Sequence, residues 1–208
     1  MDIKNEALRY LGYKGEPDEQ TMALILRAEK EFRESVSPSF CWRVMEKSEC
    51  EHILLGSDIK NHLKDSKRVI LFAATLGAAG DRIIRSAEIS DMAYAVVADS
   101  YASALIEDYC DKCEVEMKAV TGGNFTFRYS AGYGDYPISL QKDFIKLLSA
   151  DKRIGLTVTE NHILIPRKSV TAIIGITEKQ REEDRSRCEN CNMKDRCLLR
   201  KEGSDCGR

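Results

Sequence analysis

The sequence predicts an α+β domain in which helices flank a mixed, largely antiparallel sheet, followed by a small cysteine-rich tail. Helical and extended patterns are mixed along the chain without the regular βαβ alternation of parallel-sheet proteins. Four of the eight cysteines fall after residue 187, in a hydrophilic segment. We therefore expect an α+β domain over 1–177, then a charged linker and cysteine-rich tail over 178–208.

Composition limits the function classes. A chain of 208 residues with 43% hydrophobic and 32% charged residues is typical of a soluble globular protein. The net charge of -2 argues against a nucleic-acid binder with a strongly basic surface. No apolar run approaches the ~20 residues of a membrane span, and the acidic N-terminus does not resemble a signal peptide. We expect a cytoplasmic protein with neither nucleic-acid nor membrane partners.

Apolar residues at helical spacing, interrupted by glycine and proline, predict the elements of the N-terminal half. Gly12 ends the first helical pattern, Asp18 is placed to cap the second, and Pro38 stops it. Phe40 begins an extended, alternating pattern. The predicted elements are helices over 3–11, 19–36 and 57–63 and a strand over 40–49.

The run Val69–Ala74 is continuously apolar, as expected for a strand covered on both faces. It leads into Gly77-x-x-Gly80, a pattern that suggests a phosphate-binding loop. However, neither Gly-Lys-Ser/Thr nor a third glycine follows. We interpret the segment as a tight turn between strand and helix, with phosphate binding as the alternative.

A long helix is predicted over 91–120, with a mostly apolar stripe at three- and four-residue steps. Its polar members, Asp99 and Ser103, are unusual, so Asp99 either has a partner within the fold or faces a cavity. Cys110 and Cys113 lack the strand-and-helix context of a redox motif, and we interpret them as buried thiols. The stripe consists of Met92, Val96, Asp99, Ser103, Ile106, Cys110, Cys113 and Met117.

The segment 128–137 is the candidate functional site. Phe125 and Phe127 precede it in an alternating pattern, so a strand should arrive with both rings on one face and Arg128 on the other. Two glycines then surround a tyrosine, and glycine lets a ligand approach the backbone closely. An arginine at a strand end, such a loop and a following helix suit an anionic small molecule. The alternative is a surface loop whose tyrosines cover the core.

The tail pattern Cys188-x2-Cys191-x5-Cys197-x8-Cys206 offers four thiolates in a segment too hydrophilic to fold by burying a core. Four thiolates without a nearby histidine fit either structural zinc or an iron–sulfur cluster. We favour a [4Fe–4S] cluster, because zinc ribbons use two paired C-x-x-C knuckles and the tail has one. Unligated thiols are the remaining alternative.

The pattern Arg128-x-x-x-Gly132-Tyr133 resembles the signature of the reactivation domain of cobalamin-dependent methionine synthase. The longer stretch 128–137, followed by Gln141, is similar to stand-alone members of that family from anaerobic bacteria. The resemblance covers about 1–177 and implies the α+β fold of the activation domain. Further matching segments are 69–77, Asp81-Arg82, Thr159-Glu160, Pro166 and 169–171.

The resemblance implies that this segment binds S-adenosylmethionine and presents its methyl group to a corrinoid cobalt on a partner protein. It implies no catalytic acid or base, because methyl transfer is a positioned displacement. Arg128 is then placed to pair with the ligand's carboxylate, Glu107 with its amino or hydroxyl groups, and Tyr133 to lie nearest the corrinoid. The implied ligand-binding residues are Glu107, Arg128, Ser130, Ala131, Gly132, Tyr133 and Gly134.

Two departures from the family pattern bear on the adenine pocket. Gly134-Asp135-Tyr136 stands where the fused domain has small residues and a second proline. Ile173 and Ile174 stand where that domain has an aromatic residue. The shape of the pocket, and with it the identity of the ligand, can therefore differ from the family's.

The implied function is that of an accessory protein for the reductive reactivation of a cobalamin-dependent methyltransferase, either methionine synthase or another corrinoid enzyme. One electron and the methyl group of S-adenosylmethionine would restore methylcobalamin from inactive cobalt(II). The cysteine tail is a candidate source of that electron. The alternatives are a non-catalytic module that docks onto a corrinoid protein and an iron–sulfur electron carrier with a vestigial pocket.

Overall fold

The computed structural model describes residues 2–13 and 15–178. The predicted cysteine tail lies outside them, as does all of the predicted linker except its first residue. Short 3-10 helices occur at Lys47–Ile53 and Ile138–Leu140. The helices are α1 (Ile3–Tyr10), α2 (Glu19–Ser35), α3 (Ser57–His62), α4 (Ala78–Ser90), α5 (Met92–Thr121), α6 (Gln141–Leu148) and α7 (Ala150–Ile154). The strands are β1 (Ser39–Glu46), β2 (Arg68–Thr75), β3 (Asn124–Phe125), β4 (Thr157–Val158), β5 (Leu164–Ile165) and β6 (Ser169–Thr177).

Four of these strands form one sheet, in the order β1-β2-β6-β3, and every pairing in it is antiparallel. β4 and β5 form a separate antiparallel hairpin. The predicted α+β class with an antiparallel sheet is confirmed. Within the described residues, no helix combines the length and apolar character needed to cross a membrane.

Strand β2 explains how the sheet divides the core in two. Because successive side chains point to opposite faces, Ile70 and Phe72 join a core made with α1, α2, α4 and α5. Leu71 and Ala73 join the opposite core, made with α3, α6 and α7. All four are fully buried. The prediction that the apolar run Val69–Ala74 is a strand covered on both faces is therefore confirmed.

Helix α5 was predicted with the wrong face in its first half. Met92 and Val96 were placed on the buried stripe, yet their side chains are 62% and 53% exposed. Tyr94 and Val97 are buried instead, because small residues let α1, α2 and α4 all pack closely against α5 and widen its buried face. The second half of the stripe, from Ile106 to Met117, is buried as expected.

The polar members of that stripe have partners within the fold. Lys168 Nζ lies 2.9 Å from a carboxylate oxygen of Asp99 and donates a hydrogen bond of 2.8 Å to Ser103 Oγ. Lys168 immediately precedes β6, so this ion pair joins the start of that strand to α5. The Lys168 side chain is 13% exposed and that of Asp99 is 44% exposed. Asp99 is thus satisfied structurally, the first of its two predicted alternatives.

Candidate functional site

The strand expected to lead into the central segment is short, and its alternation is broken. After β3, Thr126 Oγ1 accepts a hydrogen bond of 2.8 Å from the backbone N–H of Gly175 on β6. Phe125 consequently packs against the core that contains α5. The Phe127 ring lies on the other side, with its centroid 4.2 Å from that of the His62 ring on α3. The prediction that both phenylalanines share one face was wrong, because the Thr126 side chain replaces its backbone carbonyl as the acceptor for Gly175 N–H, while Thr126 N–H donates to the Gly175 carbonyl at 2.9 Å.

Beyond this break the chain returns to the sheet edge. Tyr129 and Ile173 exchange backbone hydrogen bonds of 3.0 and 2.9 Å. The centroid of the Tyr129 ring lies 5.0 Å from the centroid of the His62 ring and 6.0 Å from that of the Tyr136 ring. Arg128, between the two anchored residues Phe127 and Tyr129, is directed toward helix α5.

Arg128 lies in a cluster of carboxylates on α5. Its Nη2 is 3.0 Å from carboxylate oxygens of both Glu107 and Asp111, and its Nη1 contacts Glu114. The Arg128 side chain is 11% exposed. One guanidinium thus faces three carboxylates from successive turns of one helix, so the fully ionised cluster is anionic.

The sequence reasoning found two members of this cluster and missed two. Glu107 and Arg128 were predicted, and the structure brings them into direct contact. Asp111 and Glu114 were missed, although the spacing of the three acids along the helix was a visible signal. Burial raises the pKa of the Glu114 carboxyl, an effect that the Arg128 guanidinium opposes.

The loop after Arg128 is held by its own backbone. Gly132 N–H donates to the Tyr136 carbonyl at 2.8 Å, and Tyr136 N–H donates to the Tyr133 carbonyl at 2.9 Å. Gly132 has φ of +100°, a conformation that side chains rarely adopt. Ala131 and Tyr136 are buried, whereas Tyr133 is 63% exposed. The loop therefore holds the Tyr133 ring at the surface while Tyr136 anchors it to the core.

A second fixing point joins the loop to α3. The Asp135 carboxylate accepts bonds from Ser57 N–H and Ser57 Oγ, both at 2.6 Å, and from Asp58 N–H at 3.0 Å. Asp58 in turn accepts from Asp135 N–H at 3.2 Å. Hydrogen bonds, first from the Ser57 side chain, lower the pKa of Asp135. Asp135 thus caps a helix whose own N-cap, Gly56, has no side chain.

Gly134 belongs to the same contact. A Cβ on Gly134 would lie 2.1 Å from a carboxylate oxygen of Asp58 and 2.9 Å from the hydroxyl of Tyr129. Glycine at this position lets the loop pack directly on α3. Packing on α3 thus explains why glycine stands at this position, and the predicted contact of Gly134 with a ligand stays a prediction.

Tyr10, at the end of α1, also lies beside the cluster, and the sequence reasoning missed it. Burial raises the pKa of Tyr10, and the neighbouring charges of Glu107 and Glu6 raise it further. Its ring is 43% exposed and lies 4.7 Å from the Arg9 guanidinium carbon. The surface around Arg128 therefore presents tyrosine rings from α1 and from the loop. No sequence pattern distinguishes Tyr10 from an ordinary helix-end residue.

The structure does not test the predicted metal ligands. Cys188, Cys191, Cys197 and Cys206 lie outside the described residues, and within 2–13 and 15–178 no group of three or more potential ligands could hold a metal. The thiols of Cys41, Cys50, Cys110 and Cys113 are buried, as predicted for the last two. Burial raises the pKa of Cys113 to about 11, so this thiol is neutral and unreactive near pH 7.

Comparison with known proteins identifies the fold. No protein-family model matches the chain, and no curated protein matches it. Among solved structures, the chain is similar to a crystal structure of the MetH reactivation domain bound to AdoHcy, with a TM-score of 0.59 and 13% sequence identity. The match covers 97% of this chain and 83% of that one. The chain thus has the fold of that reactivation domain.

Proposed function

We propose that the chain binds S-adenosylmethionine beside Arg128 and acts as an accessory protein in the reductive reactivation of a cobalamin-dependent methyltransferase. One observation carries the proposal. Arg128 and Glu107, which the resemblance assigns to the ligand's amino-acid portion, are in contact at 3.0 Å. They lie in a fold similar to a reactivation domain that binds AdoHcy.

The charge of the cluster suits this ligand. S-adenosylmethionine carries a sulfonium, an ammonium and a carboxylate group. The guanidinium of Arg128 would bind the carboxylate as a two-pronged donor. Glu107 and Asp111, which now contact Arg128, would turn to the ammonium or hydroxyl groups. Ligand binding would thus exchange the ion pairs of Glu107 and Asp111 with Arg128 for pairs with the ligand.

The loop supplies the remaining contacts. Gly132 N–H and Tyr133 N–H already donate within the loop, so backbone carbonyls of Ser130, Ala131 and Gly132 are the groups proposed to accept bonds from the ligand. The exposed Tyr133 ring would lie nearest the edge of the corrinoid. These residues position a methyl group for displacement, and none acts as an acid or base.

We propose further that Cys188, Cys191, Cys197 and Cys206 hold an iron–sulfur cluster that supplies the electron. The spacing with one C-x-x-C knuckle supports this assignment. Full-length protein purified without oxygen should contain iron and inorganic sulfide and should absorb visible light. Stoichiometric zinc without iron would make the tail a structural site and would require an external electron donor.

A second candidate function is a docking module that binds a corrinoid protein but no S-adenosylmethionine. It is favoured by the pairing of Arg128 with three carboxylates, because a ligand must displace contacts that already exist. An electron carrier is a third candidate, and it depends entirely on the tail. A carrier would lose all function without 188–208, whereas a methyl-donor protein given a chemical reductant would keep its methyl transfer.

Methyl transfer tests the proposal directly. Cobalamin-dependent methionine synthase that lacks its own activation domain, oxidised to cobalt(II), would be mixed with the full-length chain, a chemical reductant and S-adenosylmethionine labelled on its methyl group. We expect labelled methylcobalamin and recovered synthase activity, both dependent on the chain. Arg128→Ala should reduce the transfer, whereas Arg27→Ala, which removes a surface ion pair with Asp91, should not. Transfer at the same rate without the chain would contradict the proposal.

A further inference from the structure

A cavity of about 460 Å³ lies against α6 and α7, and the proposed function does not use it. Its size falls within the range of about 300–1,000 Å³ typical of small-molecule sites. Ile145 and Val158 supply apolar walls, and polar side chains supply the rest of the lining. None of the residues implied to bind S-adenosylmethionine lines this cavity.

The polar lining is mainly basic. Lys142, Lys146 and Lys152 line the cavity together with the hydroxyl residues Ser149 and Thr157, and with Asp151 as the single acid. Within residues 2–13 and 15–178, none of the three lysines forms an ion pair. Three positive charges against one negative charge therefore surround the opening.

Two arginines at the end of α6 add positive charge beside the cavity, because their partners there are uncharged backbone carbonyls. Arg153 donates to the carbonyl of Leu148 at 3.4 Å, and Arg43 donates to the carbonyl of Leu147 at 3.5 Å. Both bonds satisfy carbonyls at the end of α6, which the helix cannot satisfy itself. The arginines thus keep their charge beside the cavity.

We propose that this cavity binds a small molecule carrying a diphosphate or triphosphate group. Lysine ammonium groups bind phosphate as point charges, and the hydroxyl of Ser149 can donate to a phosphate oxygen. The Thr157 hydroxyl donates to the Ile165 carbonyl at 3.4 Å and can accept a further bond. The cavity is largely open to solvent, and its apolar residues beside the lysines suit a compact anion attached to an organic group. An extended acidic protein surface would instead meet a flat basic patch.

Calorimetric titration of inorganic pyrophosphate and of ADP into the full-length protein, at one fixed ionic strength, tests this site. The test variant is Lys142→Ala with Lys146→Ala, two exposed positions one helical turn apart where alanine keeps helix propensity. The matched control is Lys60→Ala with Lys64→Ala, which removes two exposed lysines at the same spacing from the region of α3.

We expect saturable binding that weakens at least tenfold in the test variant and does not change in the control. Tighter binding of ADP than of pyrophosphate would support the site and identify a nucleotide as its occupant. No saturable binding of either anion, or equal weakening in both variants, would overturn the proposal. Binding of polyglutamate in place of both anions would also overturn it, in favour of an acidic protein partner.

A further titration separates this site from the methyl-donor site. Affinity for S-adenosylmethionine should be the same with and without saturating pyrophosphate, and the same in the lysine variant. Competition between the two ligands would overturn the location, because the anion would then bind at Arg128. Failure of S-adenosylmethionine to bind at all would leave the pyrophosphate result unaffected.

Discussion

The Arg128 guanidinium and the Glu107 carboxylate lie 3.0 Å apart, although 21 positions separate them in the chain. The contact exists because the loop crosses α5 at the turn that carries Glu107. Arg128 also contacts Asp111 and Glu114, which lie further along the same helix. Arg128, proposed to bind the ligand's carboxylate, and Glu107, proposed to bind its amino or hydroxyl groups, therefore contact each other, and ligand binding must exchange that contact for contacts with the ligand.

Glu114→Gln should change how stability depends on pH. Burial raises the pKa of Glu114 above its ordinary value of 4.5, so the folded state holds this proton more tightly than the unfolded state. Glu114 therefore stabilises the fold at pH below 4.5, and that contribution is lost as pH rises through the raised pKa. Between pH 4 and pH 7, the free energy of unfolding measured in urea should fall less in the variant than in the natural protein. An unchanged or larger loss would contradict this.

Asp135→Ala should loosen the loop and fray α3 together. Asp135 accepts three hydrogen bonds at the start of that helix, and these lower its pKa. Its stabilisation is therefore present above the unfolded value of 3.8 and lost as pH falls through the lower folded value. Hydrogen exchange should speed up in both α3 and 130–136. Faster exchange in the loop alone would mean that Asp135 does not cap α3.

Gly134→Ala should destabilise the protein more than Gly155→Ala. Both glycines have positive φ, +54° and +66°, so the backbone strain of alanine is similar. Only at Gly134 would the new methyl group collide with Asp58 and break its bond to Asp135, whereas nothing lies within 4 Å of a methyl group at Gly155. We expect an extra loss of about 1–3 kcal/mol, measured by urea unfolding. Equal losses would show that Asp58 moves aside without cost.

Tyr133→Ala should separate function from stability. Its side chain is 63% exposed, so the free energy of unfolding should change by about 0.5 kcal/mol or less. Methyl transfer to the corrinoid should nevertheless fall. Tyr136→Ala is the contrasting change, because Tyr136 is buried and its loss should cost about 3–5 kcal/mol. Normal methyl transfer by Tyr133→Ala would remove this residue from the proposed corrinoid contact.

The sequence predicted what short-range patterns determine. The apolar run of β2 and the cap at Asp18 depend on neighbouring residues, and the structure agrees with both predictions. The exposed side of α5 was misjudged at Met92 and Val96, because three helices pack against this one and widen its buried face. A periodic stripe cannot show how many neighbours a helix has.

The candidate site was predictable where a family signature marks it and not where distant segments meet. Arg128 was found from the strand-and-loop pattern and from the family signature, Glu107 was found from its position on the long helix, and their contact follows from the fold. The cap on α3 joins Asp135 to Ser57, which are 78 positions apart, and no local sequence pattern predicts this contact. The break at Thr126 was missed because a threonine that bonds through its side chain looks like an ordinary strand residue.

The most direct test of the central claim is calorimetric titration of S-adenosylmethionine into anaerobically purified full-length protein. Arg128→Lys keeps the positive charge among the three carboxylates, and hence the fold, but loses the two-pronged geometry. We predict saturable binding by the natural protein, at least tenfold weaker binding by Arg128→Lys and Arg128→Ala, and unchanged binding by Arg27→Ala. Absence of binding by the natural protein, or equal affinity in all four proteins, would contradict the claim.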